Sequence, residues 1–141
     1  MAIAFSNLGS SADPDLNDSS NATSYSTASW TPDTSGLVIV FVHARGASVG
    51  EAVAPTVSGN SLTWTQIASV IRSADRLTLF AANLSGATSG TTTFDFGSDG
   101  QLNCTAAFMR ATGVDLSGGV AAAFVQSPTN NSNTITASVT L

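Results

Sequence analysis

The chain has 141 residues, nine acidic side chains against four Arg, no Lys and one His, for a formal net charge of -5. Charged residues make up only 9% of it, against roughly 25% in an average soluble domain. That excludes the cationic footprint nucleic acid requires and the basic amphipathic stretch that would hold an anionic membrane.

The length suits a single domain with one core. Residues 1–29 read as a short N-terminal strand followed by a polar extended arm, and residues 30–141 as the body. The start, Met1 to Asn7, has neither a basic region nor an apolar run long enough for an export signal. No segment approaches about 18 apolar residues, the length of a membrane span. Synthesis in a cytoplasm is the expectation. Residues 9–29 are rich in Ser and Asp and nearly free of large apolar side chains, as an arm would be.

The strongest run is 37–44, LVIVFVHA. Its β-branched and aromatic residues, bounded by glycines, predict a strand buried on both faces. Residues 55–64 predict strand, Gly59-Asn60 turn, strand, since Gly and Asn tolerate the positive φ of a tight hairpin. Leu62, Trp64 and Gln66 then share one face, while Thr63, Thr65 and Ile67 share the other. The loss of alternation at Ala68 predicts a bulge. A turn at residues 73–75 leads to a strand over 76–84, with Leu77 and Leu79 opposed to Thr78 and Phe80. A strand over 91–96 puts Phe94 and Phe96 on one side, and residues 102–114 make another. The Ala-rich pieces 105–107 and 121–123 are too short for helices. Residues 134–141 alternate Ile135, Ala137, Val139 and Leu141 with Thr and Ser, the cleanest strand pattern in the chain. Nine or ten short strands predict an all-β antiparallel sandwich, for which a jelly roll is one arrangement.

Little in the chain suggests catalysis. His43 lies inside the most apolar strand, where a structural role is expected, and no nucleophile-elbow sequence accompanies it. Glu51 falls in a loop, and Asp95 is the one acid embedded in a strand, too little for a carboxylate pair. Residues 13–18 (DPDLND) start like a calcium loop but lack its sixth-position Gly and twelfth-position Glu, so a solvated acidic loop is expected. No thiolate or imidazole cluster exists for zinc. The expectation is no enzyme, no metal and no cofactor. Cys104 cannot staple its own chain and, in an apolar stretch, reads as a buried thiol.

Contact residues are sought among the aromatic and cationic side chains. Tyr25, Trp30 and Trp64 are the candidates for a sugar-stacking platform; Trp64 shares a face with Leu62 and is expected in the core, which leaves Tyr25 and Trp30. Arg45, Arg72, Arg76 and Arg110 are isolated cations in an acidic chain, each expected to pair with an Asp or to cross a subunit boundary. The absence of Lys removes the charge that usually protects strand edges. Covered or paired edges, and so an assembled protein, follow.

The stretches Gly36 to His43, Pro55 to Gln66, Arg76 to Phe80, Gly90 to Phe96, Gly113 to Asp115 and Ala123 to Ser127 resemble a family of small β-sandwich proteins associated with the virions of tailed bacteriophages. The family's marker is a Gly-Asn-Gly-Leu-Thr-Trp hairpin, here with Ser61 in place of the second Gly. An aromatic usual near Ala106 to Phe108 is shifted or missing. The resemblance implies a capsid decoration protein on the outer shell, binding the major capsid protein and copies of itself, as trimers at local three-fold positions. Its alternative is a carbohydrate-binding module of a tail fibre, head fibre or other appendage.

Overall fold

Residues 37–45 become the centre of the molecule because apolar side chains occupy both faces of one extended segment. The computed structural model describes residues 2–6, 8 and 14–124. Among these, nine strands form: β1 (Ala4–Ser6), β2 (Leu16–Asp18), β3 (Ser24–Ser26), β4 (Leu37–Arg45), β5 (Thr56–Gly59), β6 (Thr65–Arg72), β7 (Asp75–Asn83), β8 (Thr92–Asp95) and β9 (Asn103–Thr112). The strand anticipated over 134–141 lies outside the described residues.

The fold is an all-β sandwich of two antiparallel sheets. The larger runs β1-β9-β4-β7-β6, with β2 also on β9, and the smaller runs β3-β8-β5. Strand β2 pairs with β9, β3 with β8 and β4 with β7. That nesting is the winding of a jelly roll, a long hairpin folded over on itself. The innermost pair would be β5 and β6. Instead the turn between them changes sheet, so β5 bonds β8 and β6 bonds β7.

This corrects the expected hairpin at Gly59-Asn60. The turn forms with the positive φ its residues allow, 115° at Gly59, 56° at Asn60 and 53° at Ser61. Its two strands nevertheless belong to different sheets. A Cβ on Gly59 would sit 2.1 Å from the Thr91 carbonyl oxygen, so only glycine lets β5 approach the loop before β8 this closely. The bulge anticipated near Ala68 is present as a register shift between Gln66 and Ala68.

The polar segment is a second correction. Within residues 14–29 lie β2 and β3, both integral to the sandwich, and Tyr25 is buried in the core. Backbone hydrogen bonding outweighs the polar composition: β2 gives β9 an edge partner and β3 does the same for β8. Residues 121–123, too short for an α-helix, make one turn of 3-10 helix.

Between the sheets, Val38, Val40 and Val42 meet Phe80, Phe94, Phe96 and Phe108. The Phe108 ring stands 5.7 Å from Trp30, 6.4 Å from Trp64 and 6.2 Å from Phe94, all tilted or edge-on. Each such side chain contributes about 1.5–3 kcal/mol on burial.

Candidate functional site

In an antiparallel sheet, residues directly opposite one another share a face. On β4 the side chains of Leu37, Ile39, Phe41, His43 and Arg45 therefore point away from the sandwich interior. Phe41 is opposed by Leu79 on β7 and Ala107 on β9, and His43 by Leu77 and Thr105. The larger sheet is thus apolar on its outer face as well as its inner one.

That face has three zones. At one end Leu37, Ile39, Ala81 and Ala111 are buried beneath Val114, Leu116, Val120 and Phe124, where the chain folds back after β9. In the middle Phe41 keeps 39% of its surface exposed and Leu77 45%, with Ala107 exposed between β4 and solvent. At the far end His43 Nε2 lies 3.0 Å from Asp75 Oδ1, a half-exposed pair that gives the apolar strip a polar boundary. Exposed apolar side chains that adjoin across three strands are candidates for a contact surface. Sequence reading missed it because continuous hydrophobicity in 37–44 says that both faces are apolar, not that one of them is only half covered.

The residues expected at contacts are placed otherwise. Trp30 is 3% exposed, and its Nε1 donates to the Thr92 hydroxyl at 3.1 Å. Tyr25 is 2% exposed; its hydroxyl donates to the Gln101 carbonyl and accepts from the Ala22 amide at 2.9 Å. Both expectations are corrected: each ring belongs to the core and its polar atom is consumed there. Trp64, assigned to the core from its face, packs against it. A sugar platform built on Tyr25 and Trp30 therefore has no exposed ring.

The four Arg residues divide. Arg110 pairs with Asp33 at 3.1 Å and also donates to the Ser35 carbonyl, fastening the chain ahead of β4 to β9. Arg76 meets no carboxylate in its hydrogen bonds; its Nε donates to the Ala52 carbonyl at 2.8 Å and its Nη1 to the Ser69 hydroxyl at 2.9 Å. It is an internal strut, which corrects its assignment to a partner surface. Arg45 and Arg72 are exposed and stand on either side of Asp75, each directly opposite it, at the ends of β4 and β6. No geometry draws the four together.

Among the described residues no group of three or more His, Cys, Asp or Glu side chains is placed to hold a metal. The segment with calcium-loop spacing is in part a strand. Asp15 Oδ1 accepts the Phe108 amide at 2.8 Å and Asp18 Oδ1 accepts the Ser20 amide at 2.8 Å, so both carboxylates serve the backbone. Asp95 is exposed and accepts the Gly97 amide at 2.8 Å. Cys104 is buried in the core, and burial, with a smaller contribution from the Asp18 charge, pushes its thiol up to about 12. A thiol held in that state is no nucleophile at neutral pH. Asp115 lies below the usual carboxylate range because the Ser117 amide and hydroxyl bond to it.

Ile3, Phe5 and Val49 are exposed as well, but Phe41 and Leu77 are the exposed large apolar side chains on the two central strands β4 and β7 of the larger sheet. Compared with family models, curated proteins and solved structures, the chain matches none of them.

Proposed function

We propose that the protein is a non-enzymatic structural component of a tailed-bacteriophage particle, a decoration protein that seats on the outer surface of the major capsid shell and stabilises it alongside copies of itself. The observation that carries this reading is the apolar strip of Phe41, Leu77 and Ala107 on the larger sheet, which the described residues leave partly exposed. The sequence resemblance to virion-associated sandwiches supports it, as does a surface with few charges.

The physics favours many modest contacts. Apolar area removed from water contributes about 25 cal/mol per Å² before association costs. One strip of this size gives a weak contact, whereas the same contact repeated by linked copies gains through effective concentration. The test is co-sedimentation with shells stripped of the protein. Wild-type chain is expected to bind, and a Phe41→Asp/Leu77→Asp double variant with an unchanged circular-dichroism spectrum is expected to stay in the supernatant. Wild-type chain that fails to sediment overturns the reading.

A further inference from the structure

We propose that residues 114–124 are a displaceable strap: closed over the outer face of the larger sheet in the free protein, they lift when that face seats on the shell. Leu37, Ile39, Ala81 and Ala111 then join Phe41 and Leu77 in one apolar contact surface. What displaces the strap rests on the decoration reading; its capacity to open rests on the chain alone.

The contact is one-sided. Beneath the strap Leu37, Ile39, Ala81 and Ala111 are 6% exposed or less, yet none of residues 114–124 is itself buried. Val114, Leu116, Val120 and Phe124 supply the cover, and each is only partly buried. Among the described residues no hydrogen bond ties the segment to either sheet. The amides of Gly119, Ala123 and Phe124 donate to the carbonyls of Leu116, Val120 and Ala121, and the Ser117 amide donates to Asp115. These bonds all lie within the segment, so lifting it breaks none to the body.

Recesses adjoin the strap toward each edge of the sheet. One of about 440 Å³ lies between it and Ile3, ahead of β1. The other, of about 350 Å³, lies between Val120 and the side chains of Thr63, Thr65 and Asn83. Segments held by a few apolar contacts and local hydrogen bonds open at less cost than the whole fold. Gly113, at φ 74°, marks the point where the chain leaves β9, and residues at the end of an element absorb the rotation of a hinge. A partner meets only Phe41, Leu77 and Ala107 while the strap is closed, and four further apolar residues once it lifts. That difference in area is the differential affinity needed to shift such an equilibrium.

Thiol labelling of the full chain tests the opening. Ala81→Cys places a thiol beneath the strap, and Cys104 in the core of the same chain serves as the reference. At pH 8 the introduced thiol is expected to react ~100-fold faster than Cys104, at a rate that low urea leaves unchanged. Equal rates, or two rates that rise together with urea, overturn the strap, because the site then opens only with the whole fold. Should Ala81→Cys fail to fold, wild-type hydrogen exchange on stripped shells decides. The amides of Gly119, Ala123 and Phe124 are expected to exchange ~10-fold faster in the seated protein than in the free one. Slowed or unchanged exchange in a chain that sediments overturns the strap and leaves the decoration reading standing. A chain that does not sediment removes the decoration reading, while the labelling rates still judge the opening.

Discussion

Asn60 and Thr92 form a buried hydrogen bond that ties the sheet-changing turn to the smaller sheet: the Thr92 hydroxyl donates to Asn60 Oδ1 at 2.8 Å. The Asn60 amide nitrogen in turn donates to the carbonyls of Thr88 and Gly90, each at 3.1 Å, and lies 3.5 Å from that of Trp30. One side chain thus holds the turn after β5, the loop before β8 and the entry to β4. The Gly-Asn element of the sequence signature acts through this amide as much as through its backbone.

Replacing Asn60 with Ala removes every one of these bonds, strands buried carbonyls and places a Cβ-only residue at positive φ. The expected loss is about 2–4 kcal/mol in urea unfolding. Asn60→Asp is nearly isosteric but turns the donor into an acceptor facing carbonyl oxygens, so it is expected to destabilise as well at pH 7 and to recover in part as pH falls. An Asn60→Ala midpoint indistinguishable from wild type would contradict the hub.

The two tryptophans are expected to behave differently. Trp30 donates to Thr92 from within the core, whereas the Trp64 ring nitrogen is buried with no hydrogen-bond partner among the described residues. Trp30→Phe leaves the Thr92 hydroxyl short of a donor and is expected to cost about 2 kcal/mol. Trp64→Phe keeps the contact with Phe108 and removes an unsatisfied group, so its cost is expected to stay under about 1 kcal/mol. Chemical denaturation of both variants checks the order, and a reversal would mean the ring contacts outweigh the polar ones. Loss of glycan binding specific to a folded Trp30 variant would revive the carbohydrate reading.

Cys104 sets an alkaline limit. Its thiol is raised from 9.0 to about 12 in the folded protein. The unfolded chain therefore loses this proton first as pH rises. The stability tied to the neutral thiol is fully present below pH 9 and falls between 9 and about 12, at roughly 1.4 kcal/mol per pH unit from this group. Unfolding free energy measured at pH 8 and 10.5 checks the slope, and Cys104→Ala should flatten it. Native-state labelling by a thiol reagent at pH 8 is expected to be slow, with rapid labelling contradicting the buried thiol.

How much of this was legible in the sequence depends on which interaction decides each element. Residues 37–44 are placed correctly because β-branching and apolar content on both faces reflect burial directly. Phe94 and Phe96, and Leu77 and Leu79, fall on their expected sides because a period of two survives in a half-buried strand, whereas Leu62 and Trp64 reach the core from the turn ahead of β6. The Gly59-Asn60 turn is read correctly as a turn and wrongly as a hairpin, since local φ preferences carry no information about which sheet the next strand joins. Tyr25 and Trp30 differ from expectation for a related reason: their neighbours in sequence are polar, and their partners lie far along the chain, Thr92 on β8 62 residues from Trp30 and Gln101 76 residues from Tyr25. The outer strip is not legible in the sequence because its cover among the described residues, 114–124, lies over Leu37 and Ile39 and leaves Phe41 partly exposed.

The most direct test of the proposed decoration role is whether this chain copurifies with virus particles, and at what copy number, counted by quantitative mass spectrometry against the major shell protein. Hundreds of copies per particle are predicted, falling to near zero in particles carrying the Phe41→Asp/Leu77→Asp chain. A handful of copies, or none, would contradict a decoration protein.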